Sequence, residues 1–75
     1  MEYYYDIEAV DHGITLTDFA FNDDYLAIAM ARQEISIELG LDPRAIGKIK
    51  IYRTKAYDLG ETYKEWDEPI LVHES

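Results

Sequence analysis

Asn22-Asp23-Asp24-Tyr25-Leu26-Ala27-Ile28-Ala29-Met30-Ala31-Arg32-Gln33-Glu34-Ile35-Ser36-Ile37-Glu38-Leu39-Gly40 is the stretch from which the rest of the fold can be placed. Asn22, Asp23 and Asp24 bring a capping side chain and two carboxylates to the point where a first helical turn has unpaired N–H groups and a positive dipole end. Strong helix formers follow, from Leu26 and Ala27 through Glu34, and Gly40 is a C-terminal stop with Leu41 beyond it for the closing apolar contact. One helix over Tyr25 to Leu39 is therefore expected.

At about 100° per residue its apolar side chains fall on two stripes about 180° apart. Leu26, Met30 and Ile37 with Gln33 form the first, and Ile28, Ile35 and Leu39 with Ala31 form the second. Asp23, Glu34 and Glu38 separate them on one flank, and Tyr25, Arg32 and Ser36 on the other. A single sheet face covers only one stripe. The second one, Ile28, Ala31, Ile35 and Leu39, then packs under the terminal segments or lies open to another chain, which makes it the candidate homodimer surface.

Working outward toward the N-terminus, residues 2 to 10 alternate. Glu2, Tyr4, Asp6 and Glu8 fall on one side, and Tyr3, Tyr5, Ile7 and Ala9 on the other, the period of a half-buried strand with Tyr3, Tyr5 and Ile7 inward. Asp11-His12-Gly13 supplies a turn, and Ile14-Thr15-Leu16-Thr17-Asp18-Phe19 resumes a β-favourable composition, so a first hairpin is expected. Beyond the helix, Asp42-Pro43 caps and opens a short helical turn through Ile46, ended by Gly47. Lys48 to about Tyr57 reads as a strand with Ile49 and Ile51 inward. Asp58-Leu59-Gly60-Glu61 reads as a turn, and Thr62 to Ser75 as a strand interrupted at Asp67-Glu68-Pro69. The result is one α+β domain over residues 1–75, a small antiparallel or mixed sheet in β-β-α-β-β order with the long helix packed on one face.

Seventy-five residues leave room for a single core, and a domain of this size buries only about 60% of its unfolded surface. No cysteine is present, which removes disulfides, thiol nucleophiles and zinc-thiolate sites. Met1 to Asp6 has neither a basic nor an apolar leader, and no apolar run reaches the roughly 18 residues of a membrane span, so the chain is read as cytoplasmic, unprocessed and without a membrane partner.

The net charge is −9, from sixteen acids against seven bases. It is segregated: residues 1 to 31 hold seven acids and no base, residues 43 to 57 five bases and no acid, and residues 58 to 75 six acids and one base. Such a charge repels nucleic-acid backbones and anionic lipid at long range and attracts basic proteins. Lys48, Lys50, Arg53 and Lys55, interleaved with Tyr52 and Tyr57, have the ingredients of a stacking platform for single strands. A basic strand laid beside acidic ones instead satisfies its charges across the ladder, so direct nucleic-acid binding is not expected.

Seven tyrosines and Trp66 supply stiff contact area with a polar tip. Tyr4, Tyr52, Tyr57, Tyr63 and Trp66 are the candidate aromatic anchors of a partner surface. Its candidate acidic residues are Glu2, Asp6, Glu8, Asp23, Asp24, Asp67 and Glu68. Catalysis finds little equipment: His12 falls in a turn and His73 near the end of the chain, both read as exposed, and no nucleotide-binding glycine loop or calcium loop occurs. Neither an enzyme nor a cofactor or metal site is expected. In size, acidity and lack of catalytic residues the chain resembles the small accessory proteins of phages and mobile elements. That class includes inhibitors acting as nucleic-acid mimics, and the resemblance implies a partner protein with a basic surface. The alternative expectation is a structural or assembly subunit dimerising through the helix.

Overall fold

The computed structural model describes residues 2–57 and 63–75, and the side chains of all of these but 57 and 63–67. Strand β1 (Glu2–Ala9) buries alternate residues, Tyr5, Ile7 and Ala9, as its period requires. A 3₁₀ turn at Val10–His12, closed by Gly13 at φ 64°, returns the chain into β2 (Ile14–Phe21), two residues longer than the sequence suggests. Helix α1 (Asp24–Leu39) follows. A second 3₁₀ turn at Pro43–Ala45 leads to β3 (Ile49–Tyr57), and β4 (Tyr63–Glu74) completes the sheet.

The ends of α1 are set by local chemistry. Asp23 adopts extended backbone and its carboxylate accepts the Leu26 N–H at 2.8 Å, satisfying one of the donors that the first turn leaves open. At the other end Gly40 takes φ 66°, and its N–H and that of Leu41 both turn back to the Ser36 carbonyl.

The sheet order is β2-β1-β3-β4, and every neighbouring pair is antiparallel, so the mixed alternative does not apply. Because β1 is antiparallel to both neighbours, β2 and β3 run the same way on either side of it. A tight turn cannot join strands so related, and α1 makes that crossover. The turn expected at Asp58–Glu61 lies outside the described residues. Strand β4 is extended throughout, but its register jumps from Lys55↔Glu65 to Arg53↔Ile70. The interruption expected near Pro69 is thus a break in the ladder of an edge strand, where a residue without an N–H is tolerated. Edge strand β2 also has an irregularity: Asp18 sits at φ 62° where the register against β1 shifts, and Asp6 Oδ1 accepts its N–H at 3.4 Å.

The core lies between α1 and one face of the sheet. Tyr5, Ile7, Ala9, Ile49 and Ile51 from the strands meet Ala27, Ala31 and Ile35 from the helix, with Ile46 closing one end. The stripe expected either to pack under the terminal segments or to lie open to another chain is instead the one the sheet covers: Ala31 and Ile35 are fully enclosed, and Ile28 and Leu39 pack against the cluster. Two physical features select it. Ala27 and Ala31 are small, so the helix backbone approaches closely over Tyr5, Ile7 and Ile51. Asp24 shares the angular position of Ile28 and Ile35 on the wheel. Only with that side inward does its carboxylate reach Tyr5 and Arg53. The stripe left outside is Leu26, Met30, Gln33 and Ile37.

Candidate functional site

The two surfaces not consumed by the core are the outer face of α1 and the sheet face turned away from it. On the sheet, register decides the electrostatics. Lys50 stands between Glu8 of β1 and Glu74 of β4, and Lys55 stands between Tyr4 and Glu65. Lys55 Nζ also reaches Asp18 Oδ1 at 3.2 Å. Tyr52 lies between Asp6 and Leu71 in the same manner. The basic strand is thus flanked by acidic ones, and opposite charges in adjacent strands stabilise this register.

The remaining bases are mostly occupied too. Arg53 points to the helix side, where Nη1 donates to both Asp24 carboxylate oxygens at 3.1 and 3.0 Å and the guanidinium lies 5.2 Å from the Tyr3 ring centroid. Arg32 leaves the helix flank toward the second 3₁₀ turn, donating to the Gly47 carbonyl at 2.8 Å and to Ser75 Oγ at 3.2 Å. Arg44 is paired with Asp42 at 3.2 Å, and this partner holds the Asp42 carboxyl below its usual range.

The acidic residues singled out from the sequence are not gathered on one face. Glu2, Asp6 and Glu8 lie on the side of β1 away from the helix, Asp23 caps α1, and Glu68 is exposed on β4. Asp24 is turned inward to Tyr5 and Arg53 and is occupied there, because the helix first turn sits directly over the sheet. The Asp67 side chain lies outside the described ones. Among the aromatic anchors, Tyr4 and Tyr52 are half-buried on the open sheet face, while the side chains of Tyr57, Tyr63 and Trp66 lie outside those described. His12 is exposed, with Nε2 3.2 Å from the Ala45 carbonyl. His73 is half-buried rather than exposed, because β4 carries it opposite Ile51.

Among the described side chains, three of the exposed large apolar ones lie on α1 away from the sheet. Leu26 is 42% exposed, Ile37 66% and Tyr25 87%, with half-buried Met30 between them. Glu34 and Glu38, which the sequence reading treated only as separators of the two stripes, border this face together with Asp23. Their positions on the wheel are legible in the sequence, whereas which stripe turns inward is decided by the sheet.

Among the described residues no group of three His, Cys, Asp or Glu side chains is placed to hold a metal ion, and no helix is long and apolar enough to cross a membrane. A depression of about 200 Å³ at one end of the sheet is lined by Val10, Lys48, Ile49, Lys50, Glu74 and Ser75, whose Oγ accepts from Arg32 and from the Ile49 N–H. Comparison with known proteins returned no match to any family model, any curated protein or any solved structure.

Proposed function

We propose that this chain is a small acidic protein-binding module that engages a basic surface of a partner protein, in the manner of an inhibitor occupying a surface that otherwise holds nucleic acid. The observation that carries this reading is where the bases go. Arg32, Arg44, Arg53 and Lys55 each donate to a carboxylate or a carbonyl of the chain itself, and Lys50 stands in register between Glu8 and Glu74. The basic strand is therefore not a cation patch for a phosphate backbone. The charge that faces outward is the acidic excess, including Glu2, Asp23, Glu34, Glu38 and Glu68. Long-range attraction of this kind accelerates encounter with a basic protein and depends on salt.

Affinity capture from a cell lysate tests it. The wild-type chain should retain a basic protein in low salt, release it in high salt and lose it to a competing polyanion. A variant combining Glu2→Gln, Asp23→Asn and Glu68→Gln should retain less, with Asn at 23 preserving the helix cap. Capture that is indifferent to salt and to these changes would count decisively against the proposal.

A second reading, an assembly subunit that dimerises through α1, is favoured by the exposure of Leu26 and Ile37. It uses that stripe, since Ile28, Ala31, Ile35 and Leu39 are committed to the core. Mass in solution over a range of concentrations distinguishes the two.

A further inference from the structure

We infer that the outer face of α1 is a docking strip for a cationic amphipathic helix presented by the partner, an inference that rests on the protein-binding reading above and assigns it a site. The strip runs from Leu26 through Met30 and the polar Gln33 to Ile37, about 16 Å at 1.5 Å per residue, which is the length of three helical turns. Leu26 and Ile37 are 42% and 66% exposed at its two ends. Apolar positions recurring along one helical face receive a partner helix carrying anchors at i, i+3 or i+4, and i+7.

Charge selects the occupant. One flank of the strip carries Asp23, Glu34 and Glu38, and the side chains of Glu34 and Glu38 have no cationic partner among the described residues. The only base of α1, Arg32, is withdrawn from the rim because its guanidinium is held by the carbonyls of Pro43 and Gly47 and by Ser75 Oγ. A partner helix with apolar anchors and Lys or Arg along one edge therefore meets apolar surface with apolar surface and acid with base. Tyr25, 87% exposed on the opposite flank, offers a ring face to a further arginine. A second copy of this chain is a poorer occupant. In an antiparallel two-fold pairing the Glu34 and Glu38 flank meets its own image, between chains that each carry −9.

The test uses the full chain and a synthetic lysine-rich peptide with leucines at i, i+4, i+7 and i+11, alongside a scrambled peptide of identical composition. Amide chemical shifts should move along residues 25–38, and the scrambled peptide should bind at least about tenfold more weakly, since order rather than charge places the anchors. Ile37→Asp should weaken binding by about tenfold or more, because it puts a carboxylate in place of the more exposed of the two apolar anchors. Glu38→Lys, at an exposed position that plays no part in the core, should weaken it and flatten its salt dependence.

Equal binding of the scrambled peptide would overturn the inference, as would shifts centred on Tyr4 and Tyr52. A doubled mass without peptide, abolished by Ile37→Asp, would assign the strip to a second copy instead. The two readings separate cleanly. If Ile37→Asp still captures a basic protein in a salt-sensitive way, the helix site is wrong and the binding module stands. If the ordered peptide seats on α1 but the wild-type chain captures no protein, the site stands and the module reading falls.

Discussion

Tyr5 donates its phenolic hydrogen to Asp24 Oδ1 at 2.5 Å, joining the centre of the sheet to the first turn of α1. Asp24 also accepts from Arg53 on the neighbouring strand, so one carboxylate fixes the helix against two strands. Tyr5→Phe should remove this tie without leaving a cavity, lowering stability by about 1–2 kcal/mol in urea unfolding. Asp24→Ala should cost more, because it strips Arg53 of its carboxylate as well.

The same tyrosine gives an alkaline signature. Burial, and then the hydrogen bond to Asp24, push its phenol well above the ordinary value of 10.0. The folded chain thus holds this proton more tightly than the unfolded one. Its contribution is complete below about pH 10 and is lost as pH rises further, when the unfolded state ionises first. Unfolding midpoints measured from neutral pH upward should fall more steeply above about pH 10 in the wild type than in Tyr5→Phe.

Ile35 and Ile37 stand two positions apart and on opposite sides of α1, 0% and 66% exposed. Ile35→Ala should cost about 2–5 kcal/mol, enough to unfold much of a domain this small. Ile37→Ala should stay within about 0.5 kcal/mol. Thermal melts of both variants report which stripe faces the sheet.

Gly47 combines φ 78° with a close approach: a Cβ there would lie 2.1 Å from Asp11 Oδ2, the oxygen that accepts the Lys48 N–H. Gly13, at φ 64°, has nothing within 4 Å of the same added atom. Gly13→Ala should therefore cost only the left-handed penalty, about 1–2 kcal/mol. Gly47→Ala should cost more, and Asp11→Ala in the same chain should recover part of the difference, as a double-mutant cycle would measure.

Arg32 ties α1 to the second 3₁₀ turn and to Ser75, whose Oγ accepts the Ile49 N–H at 3.1 Å. Arg32→Lys keeps the charge but loses the fork that serves these acceptors together. Hydrogen exchange at Lys48 and Ile49 should accelerate while that of Ile7 and Ile51 changes little.

Much of this fold is legible in the sequence because its determinants are near neighbours. Asp23 and Gly40 end the helix through contacts with residues three to five positions away. Tyr3, Tyr5 and Ile7 alternate with Glu2, Tyr4 and Asp6, which names the inward side of β1 without knowledge of its partners. The half-buried His73 and the inward-turned Asp24 were not legible, since each depends on which strand or helix lies opposite.

The sequence by itself determined the elements, their order and the two apolar stripes, because backbone propensity, capping and periodicity act within a turn or a strand. Tertiary structure alone decided which stripe became core. Each carries three large apolar side chains, with Gln33 completing the outer one and Ala31 the inner. The inner side brings small Ala27 and Ala31 to the sheet and Asp24 within reach of Tyr5 and Arg53. It also decided that the acidic strand β1 lies beside the basic strand β3, with Glu8 opposite Lys50. That pairing joins segments far apart in the chain, and it turns a segregated charge pattern into an internally matched sheet with its acidic excess facing outward.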